Sequence, residues 1–330
     1  MNHMKYIFTF YKKEHYEDLV RMALASYQWC VPTAGLSRIE FAMGLHPAFT
    51  GNKKVWEHTV GIYSLDGKVV AAVWNEGCYD GGVFFLFDTR ERAEDLELLE
   101  DMVKFSKTYA SGLKEDNRTR TLDIFVPEWH DTLKKYLLSH GFSVGGWEEK
   151  TYILPITKKM EVCLPEGYNI ISGREIPDFY FSNVHRMAFN YGIENSSIAT
   201  RQGEEAFHEL RQQKYCKDEL SLCVLDKEKR PVAMTIIWYD KTMPYCEMEP
   251  LAVVWWERRK GIGKALIHEA INRILEKHPD CKGITGGDQE FYRRMGFEKR
   301  GSSMNYVWNA EIFISWEKES LEHNYEKEYM

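Results

Sequence analysis

Between Glu247 and Leu266 the chain passes from a strand-like run, through a turn holding two glycines, straight into a helix-like run. Glu247–Val254 reads as a strand. Gly261–Lys277 reads as a helix, with apolar residues at Ile262, Ala265, Leu266, Ala270, Ile274 and Leu275 on one face. A helix start carries unpaired N–H groups and the positive end of the helix dipole. Gly261 and Gly263 leave room for close backbone approach by a ligand. Arg258, Arg259 and Lys260 lie where the dipole disfavours cations, so their clustering makes sense if an anion sits between them and the helix. A P-loop needs a glycine at 258 and Ser or Thr at 265, where this chain has Arg258 and Ala265. A dinucleotide fingerprint needs a third small residue where Leu266 stands. What remains is Arg-x-x-Gly-x-Gly, from Arg258 to Gly263.

Around this stretch the order of elements occurs twice. In the first half, Tyr6–Tyr11 reads as a strand and Glu14–Tyr27 as a helix, and Thr59–Leu65 and Lys68–Trp74 form a hairpin turning at Asp66-Gly67. Val83–Phe87 is a strand, about Arg90–Tyr109 a long helix, Leu122–Val126 a strand and Thr132–Ser139 a short helix; a last strand region runs from Gly141 to Leu154. The second half repeats the scheme, with a strand at Tyr168–Ser172, helices at Pro177–Ala188 and Gly203–Gln212, and strands at Leu220–Leu225 and Val232–Trp238. After the Glu247–Lys277 unit come a strand ending at Gly283–Thr285, a short helix at Gln289–Met295, a strand at Tyr306–Trp308 and a charged tail. Lys68–Trp74 echoes Arg230–Trp238, and Tyr136–Phe142 echoes Phe291–Phe297. The polar stretch Ile156–Glu166 reads as a linker, which divides the chain into domains 1–157 and 158–330.

Composition narrows the function. A net charge of −7 repels polyanions, so no nucleic-acid partner is expected. No apolar run approaches a membrane span, and the seven cysteines form neither a disulfide framework nor a zinc motif. His268-Glu269 opens a zinc-protease pattern that fails at Asn272. These readings make the chain a soluble, cytoplasmic, metal-free protein, monomeric or homodimeric.

The loop Arg258–Gly263 resembles the pyrophosphate-binding loop of the GNAT superfamily of N-acetyltransferases. Thr285–Phe297, with a Phe-Tyr pair before Gly-Phe, resembles that family's later motif. The resemblance covers about Tyr168–Trp308 by motif, and the first half by element order alone. It implies an α/β (α+β) fold of two tandem GNAT-like domains, each a mixed, mostly antiparallel central sheet flanked by helices. It further implies acetyl-CoA as cosubstrate, held by Leu251, Ala252 and Val253 on the strand and by Arg258, Arg259, Lys260, Gly261, Ile262, Gly263 and Lys264 on the loop. Backbone N–H groups near Leu251 or Val253 would polarise the acetyl carbonyl. Tyr292 matches the family tyrosine that protonates the coenzyme sulfur. Glu247 and Glu249, two apart on one strand face, are both candidates for the base. Pro250, unable to donate in the ladder, fits a strand that bulges or parts from its neighbour, or one at an edge.

The first half keeps the order without these parts. Its segment 88–95 has no glycine and is mostly acidic inside the helix, and Leu137 stands where Tyr292 would. It is therefore expected to have lost the coenzyme and to shape the acceptor pocket or the contact between halves. The activity implied is direct acetyl transfer to a primary amine of a small molecule in a ternary complex. A non-catalytic acyl-CoA sensor or scaffold is the alternative.

Overall fold

The computed structural model describes residues 5–43, 52–116, 118–174, 176–189 and 197–311. The first half contains β1 (Ile7–Phe10), α1 (Tyr16–Ser26), α2 (Leu36–Met43), α3 (Asn52–Thr59), β2 (Gly61–Leu65), β3 (Lys68–Trp74) and β4 (Gly82–Phe87). It continues with α4 (Arg90–Ala93), α5 (Leu96–Phe105), β5 (Gly112–Leu113), β6 (Thr119–Pro127), α6 (Asp131–Ser139) and β7 (Ser143–Pro155). The second contains β8 (Asn169–Ser172), α7 (Asp178–Phe189), α8 (Ser197–Arg211), β9 (Leu222–Leu225), β10 (Pro231–Trp238) and β11 (Glu247–Val253). It ends with α9 (Ile262–Lys277), β12 (Gly283–Gly286), α10 (Glu290–Arg294) and β13 (Glu298–Glu311).

The strands are mixed and mostly antiparallel, flanked by helices, but they are shared between the halves. One sheet runs β1-β2-β3-β4-β6-β13-β7-β12, with β5 on β6; the other runs β11-β10-β9-β8. β13, the last strand described, thus lies in the first half's sheet, pairing with β6 from Ser303↔Pro127 to Glu311↔Thr119 and with β7 from Glu298↔Ile153 to Val307↔Ser143. In return β7 carries β12 on its other edge. A single parallel bridge, Cys246↔Ile284, joins the two sheets. One apolar core follows this exchange across both halves, taking in Leu19, Trp56 and Trp74 together with Phe207, Trp238 and Leu266. A second fills the opposite face of the first half's sheet, around Leu98, Met102, Ile124 and Leu137.

Most elements fall where periodicity puts them, with four differences. The expected helix 90–109 breaks at Glu94-Asp95. Thr89 caps α4, Asp95 starts α5 afresh by accepting from the N–H groups of Glu97 and Leu98, and a wide π-type turn closes it over Ser106–Ala110. The final strand is far longer than Tyr306–Trp308, because its hydrogen bonds come from two distant strands. The helices α2 and α3 occupy a stretch with no assigned structure in the sequence reading. The linker is docked, since Asn272 of α9 exchanges hydrogen bonds with the backbone of Met160 in both directions. The tail beyond Glu311 lies outside the described residues.

Candidate active site

β11 and β12 are held together only at one end. Cys246 N–H donates to the Gly283 carbonyl (2.9 Å), Thr285 N–H to the Cys246 carbonyl (3.0 Å), and Met248 N–H to the Thr285 hydroxyl (3.0 Å). That hydroxyl stands in for a backbone acceptor and ends the pairing, and the strands part beyond it. On its other side β11 bulges: Glu249 and Pro250 together oppose Ile236, between the pairs Met248↔Ile237 and Leu251↔Thr235. A proline that cannot donate therefore sits where the ladder is already interrupted.

The phase of the remaining ladder decides which backbone groups are free. Val254 N–H donates to the Val232 carbonyl at 3.0 Å, so 254 and 252 face β10, while 251 and 253 face the gap. The N–H groups of Leu251 and Val253 thus point where the strands have parted. That of Ala252 is spent in the sheet.

At the end of the gap α9 begins with Gly261 at its N-cap, in the left-handed region (φ 82°), with no side-chain cap and no acid in the first turn. The first helical bond is Ala265 N–H to the Gly261 carbonyl, which leaves the N–H groups before it open. Arg259 is also left-handed (φ 65°), a costly conformation for a bulky residue and one that clusters at functional sites. The three loop cations are not equivalent. Arg258 braces the loop, its guanidinium donating to the carbonyls of Val253 (3.1 Å) and Ala188 (2.7 Å). Lys260 grips the buried Glu257 through both carboxylate oxygens (2.9 Å each), and Tyr168 donates to the same carboxylate (2.8 Å). Arg259 and Lys264 are exposed without such a partner among the described residues, so they are the cations left for an anion. An uncapped helix start with two unpaired cations and no acid fits a pyrophosphate.

Beside the gap opens a cavity of about 480 Å³ between the halves. Tyr292, Glu247, Glu249 and Leu251 line it from the second half; Gly35, Ser37, Arg38, Glu76 and Glu149 line it from the first. Tyr292 is half-buried on α10, wedged between the rings of Phe291 and Phe297 (centroids 5.1 Å from each), and burial and the nearby Glu249 charge raise its phenol pKa.

The two glutamates part company. Glu247 is buried and already holds two donors, Tyr27 hydroxyl on Oε1 (2.5 Å) and Ser37 N–H on Oε2 (2.7 Å). It thereby caps the start of α2 from across the chain, a favourable place for a carboxylate. The fit depends on Gly35, where a Cβ would stand 2.2 Å from Glu247 Oε1. Losing Glu247 would strand the buried Tyr27 hydroxyl, at about 1–3 kcal/mol, and uncap the partly buried Ser37 N–H. Glu247 thus clamps the first half against β11. Glu249 instead projects into the cavity, its carbonyl fixed by the Trp238 indole N–H (2.7 Å). Its side chain is exposed to the cavity, so the cavity walls desolvate it only in part. Desolvation raises its pKa, Arg38 opposes the rise, and the charges of Glu247, Glu149 and Glu76 add to it, for a net push up to about 7.

Tyr27, Gly35, Ser37, Arg38, Glu76 and Glu149 were not read from the sequence. A helical spacing at Leu36, Ile39 and Met43 after Pro32–Gly35 marks α2 locally; that its start meets Glu247 is set by packing between the halves.

Comparison with known proteins agrees with this geometry. Residues 218–299 match the family model of the acetyltransferase (GNAT) domain. A tandem GNAT protein from the clavulanic acid biosynthesis pathway superposes with a TM-score of 0.59 at 14% identity, covering 93% of this chain and 98% of that one. A GCN5-related N-acetyltransferase from Sphaerobacter thermophilus gives 0.58 at 13%, covering 94% and 97%. A GNAT-family acetyltransferase from Colwellia psychrerythraea gives 0.57 at 10%, covering 92% and 99%. At such identities the likeness speaks for the fold, and the domain match speaks for the second half. Residues 218–299 thus match a GNAT acetyltransferase domain, and the chain as a whole has a fold similar to that of a tandem GNAT protein.

Proposed function

We propose that the chain moves an acetyl group from acetyl-CoA to the primary amine of a small molecule, directly, within a ternary complex. Residues 158–330 carry the chemistry, and 1–157 form a degenerate GNAT-like half that completes the acceptor cavity. The observation that carries this reading is the parted pair β11 and β12, open at one end onto the uncapped start of α9 and along its side onto Glu249 and Tyr292. Acetyl-CoA supplies an activated thioester, with Arg259, Lys264 and the N–H groups of 261–264 holding its pyrophosphate. The N–H groups of Leu251 and Val253 stabilise the developing oxyanion. Glu249 takes the proton of the incoming ammonium, directly or through a water, and Tyr292 protonates the departing sulfur.

The sign of the pH dependence follows from Glu249. A base must be ionised, and the surroundings push this carboxyl up to about 7, so kcat/KM should climb as pH rises toward and through neutrality. The test is release of coenzyme A thiol from acetyl-CoA in the presence of candidate amines, read across pH. Glu249→Gln should lower kcat/KM by about 100- to 10,000-fold and flatten that limb. An unchanged limb in Glu249→Gln would remove Glu249 as the base. Coenzyme binding without thiol release for every amine class would make the chain a binding module.

A further inference from the structure

The charges of the cavity do not balance, and the imbalance has a direction. Its lining holds four carboxylates, Glu76, Glu149, Glu247 and Glu249, against two cations, Arg38 and Lys150. Lys150 is engaged by Glu148, outside the lining (3.3 Å). Glu247 is answered by the start of α2 and by Tyr27. Arg38 is consumed. It takes Glu149 through two nitrogens (2.5 and 3.1 Å), reaches Glu76 through Nε (3.2 Å), donates to the Thr33 carbonyl, and lies 4.8 Å from the Phe84 ring centroid. One guanidinium thus serves two carboxylates, and Glu249 has no cation of its own among the described residues. With Glu249 ionised, as above pH 7, two negative charges are left over, one at Glu249 and one shared by Glu76 and Glu149. Phe41, Met248 and Leu251 add apolar surface to the same wall.

Resting on the acetyl-transfer reading above, we infer that the acceptor is a diamine or polyamine. The reacting ammonium meets Glu249, a second ammonium meets Glu76 and Glu149 beside Arg38, and an alkyl spine runs along Phe41 and Leu251. An acceptor with a carboxylate at its far end is disfavoured, because it would meet Glu76 and Glu149 and compete with them for the one guanidinium they already share.

Three probes of equal spine, butylamine, diaminobutane and aminobutyrate, differ only in the charge at the far end. In the thiol-release assay, kcat/KM should fall in the order diaminobutane, butylamine, aminobutyrate, with diaminobutane at least about 10-fold above butylamine, the size of a sheltered ion pair. The preference should enter through KM and shrink as salt is raised. Glu76→Gln should bring the ratio of diamine to monoamine to within about threefold, with acetyl-CoA affinity as the check on folding. Should that variant fail to fold, the salt dependence of the ratio in the wild-type protein carries the test alone. Equal kcat/KM for butylamine and diaminobutane, or a preference insensitive to salt, overturns the inference and leaves acetyl transfer standing. If none of the three is acetylated, calorimetry of the same probes against the protein saturated with coenzyme A reads the charge preference without turnover. Tighter binding of diaminobutane there supports the inference even as the acetyl-transfer reading falls.

Discussion

The two halves build the same gap and treat it in opposite ways. In the second half, β11 and β12 touch at one bridge and then part onto an open cavity. In the first, β4 and β6 are zipped in parallel over Gly82↔Asp123, Val83↔Ile124 and Phe84↔Phe125. Beyond that point the space shrinks to about 30 Å³, walled by Trp29, Phe85, Phe87, Trp129 and His130. Trp129 stacks on His130 (4.7 Å) and meets Trp29 edge-on (5.1 Å), while His130 is tied to the Ala93 carbonyl (2.7 Å). The helix starts differ as well: α9 is uncapped, whereas α5 is capped by its own Asp95. On the proposed reading, a coenzyme site on this fold is made by what is withheld, an aromatic plug and a cap, as much as by what is supplied.

The most severe way to break this contrast is to cap α9. Gly261→Asp places a carboxylate at an open helix start and should abolish acetyl-CoA binding. The backbone there is left-handed, and a Cβ would meet nothing within 4 Å, so the strain of adding a side chain is about 1 kcal/mol. Gly261→Asn separates strain from charge, since asparagine tolerates the left-handed region and is neutral. Calorimetry should show one site per chain in the wild type, weaker binding in Gly261→Asn and none in Gly261→Asp. Equal affinity in the two variants would move the pyrophosphate elsewhere.

The pairing of Tyr292 with Leu137 gives the next test. Each sits on the short helix that follows the gap, but Leu137 is buried in the core and Tyr292 faces the cavity. Tyr292→Phe keeps the ring between Phe291 and Phe297 and removes only the hydroxyl. A loss of about 10- to 1000-fold in kcat is expected, with coenzyme affinity nearly kept. Turnover equal to wild type at every pH would remove Tyr292 from the mechanism.

What was legible in the sequence was local. α9, β11 and the loop between them follow from spacing, glycines and charge within some thirty residues. The site's other wall was not legible, because it rests on contacts more than a hundred residues apart, such as Tyr27 with Glu247 and Arg38 with Glu149. The same holds for the exchange of β13, whose polar run Lys299–Ser303 gives no strand signal of its own and is extended by β7 and, from Ser303 onward, β6. Arg258 shows the limit within the motif itself. The pattern marks it as an anion ligand, but its guanidinium is taken up by two carbonyls.

The mildest test asks whether the cap or the plug is what keeps the coenzyme out of the first half on the proposed reading. Asp95 accepts from the N–H groups of Glu97 (3.2 Å) and Leu98 (3.5 Å), and from Lys5 (2.6 Å) and the Tyr6 hydroxyl (2.5 Å). Partial burial works against its charge, yet Lys5, Tyr6 and the Leu98 N–H prevail and hold its carboxyl below the usual range. A depressed carboxylate stabilises the fold above its unfolded pKa of about 4, and that contribution is lost as pH falls through its lower, folded value. Asp95→Ala should therefore cost about 1–2 kcal/mol at neutral pH, read as a Tm lowered by a few degrees. The gap from wild type should narrow below about pH 4. The coenzyme stoichiometry should stay at one per chain, because Trp29 and Trp129 still fill the slot when the helix start is bare. A second site in Asp95→Ala would mean that the cap alone had closed the first half, and that the aromatic plug yields to a ligand.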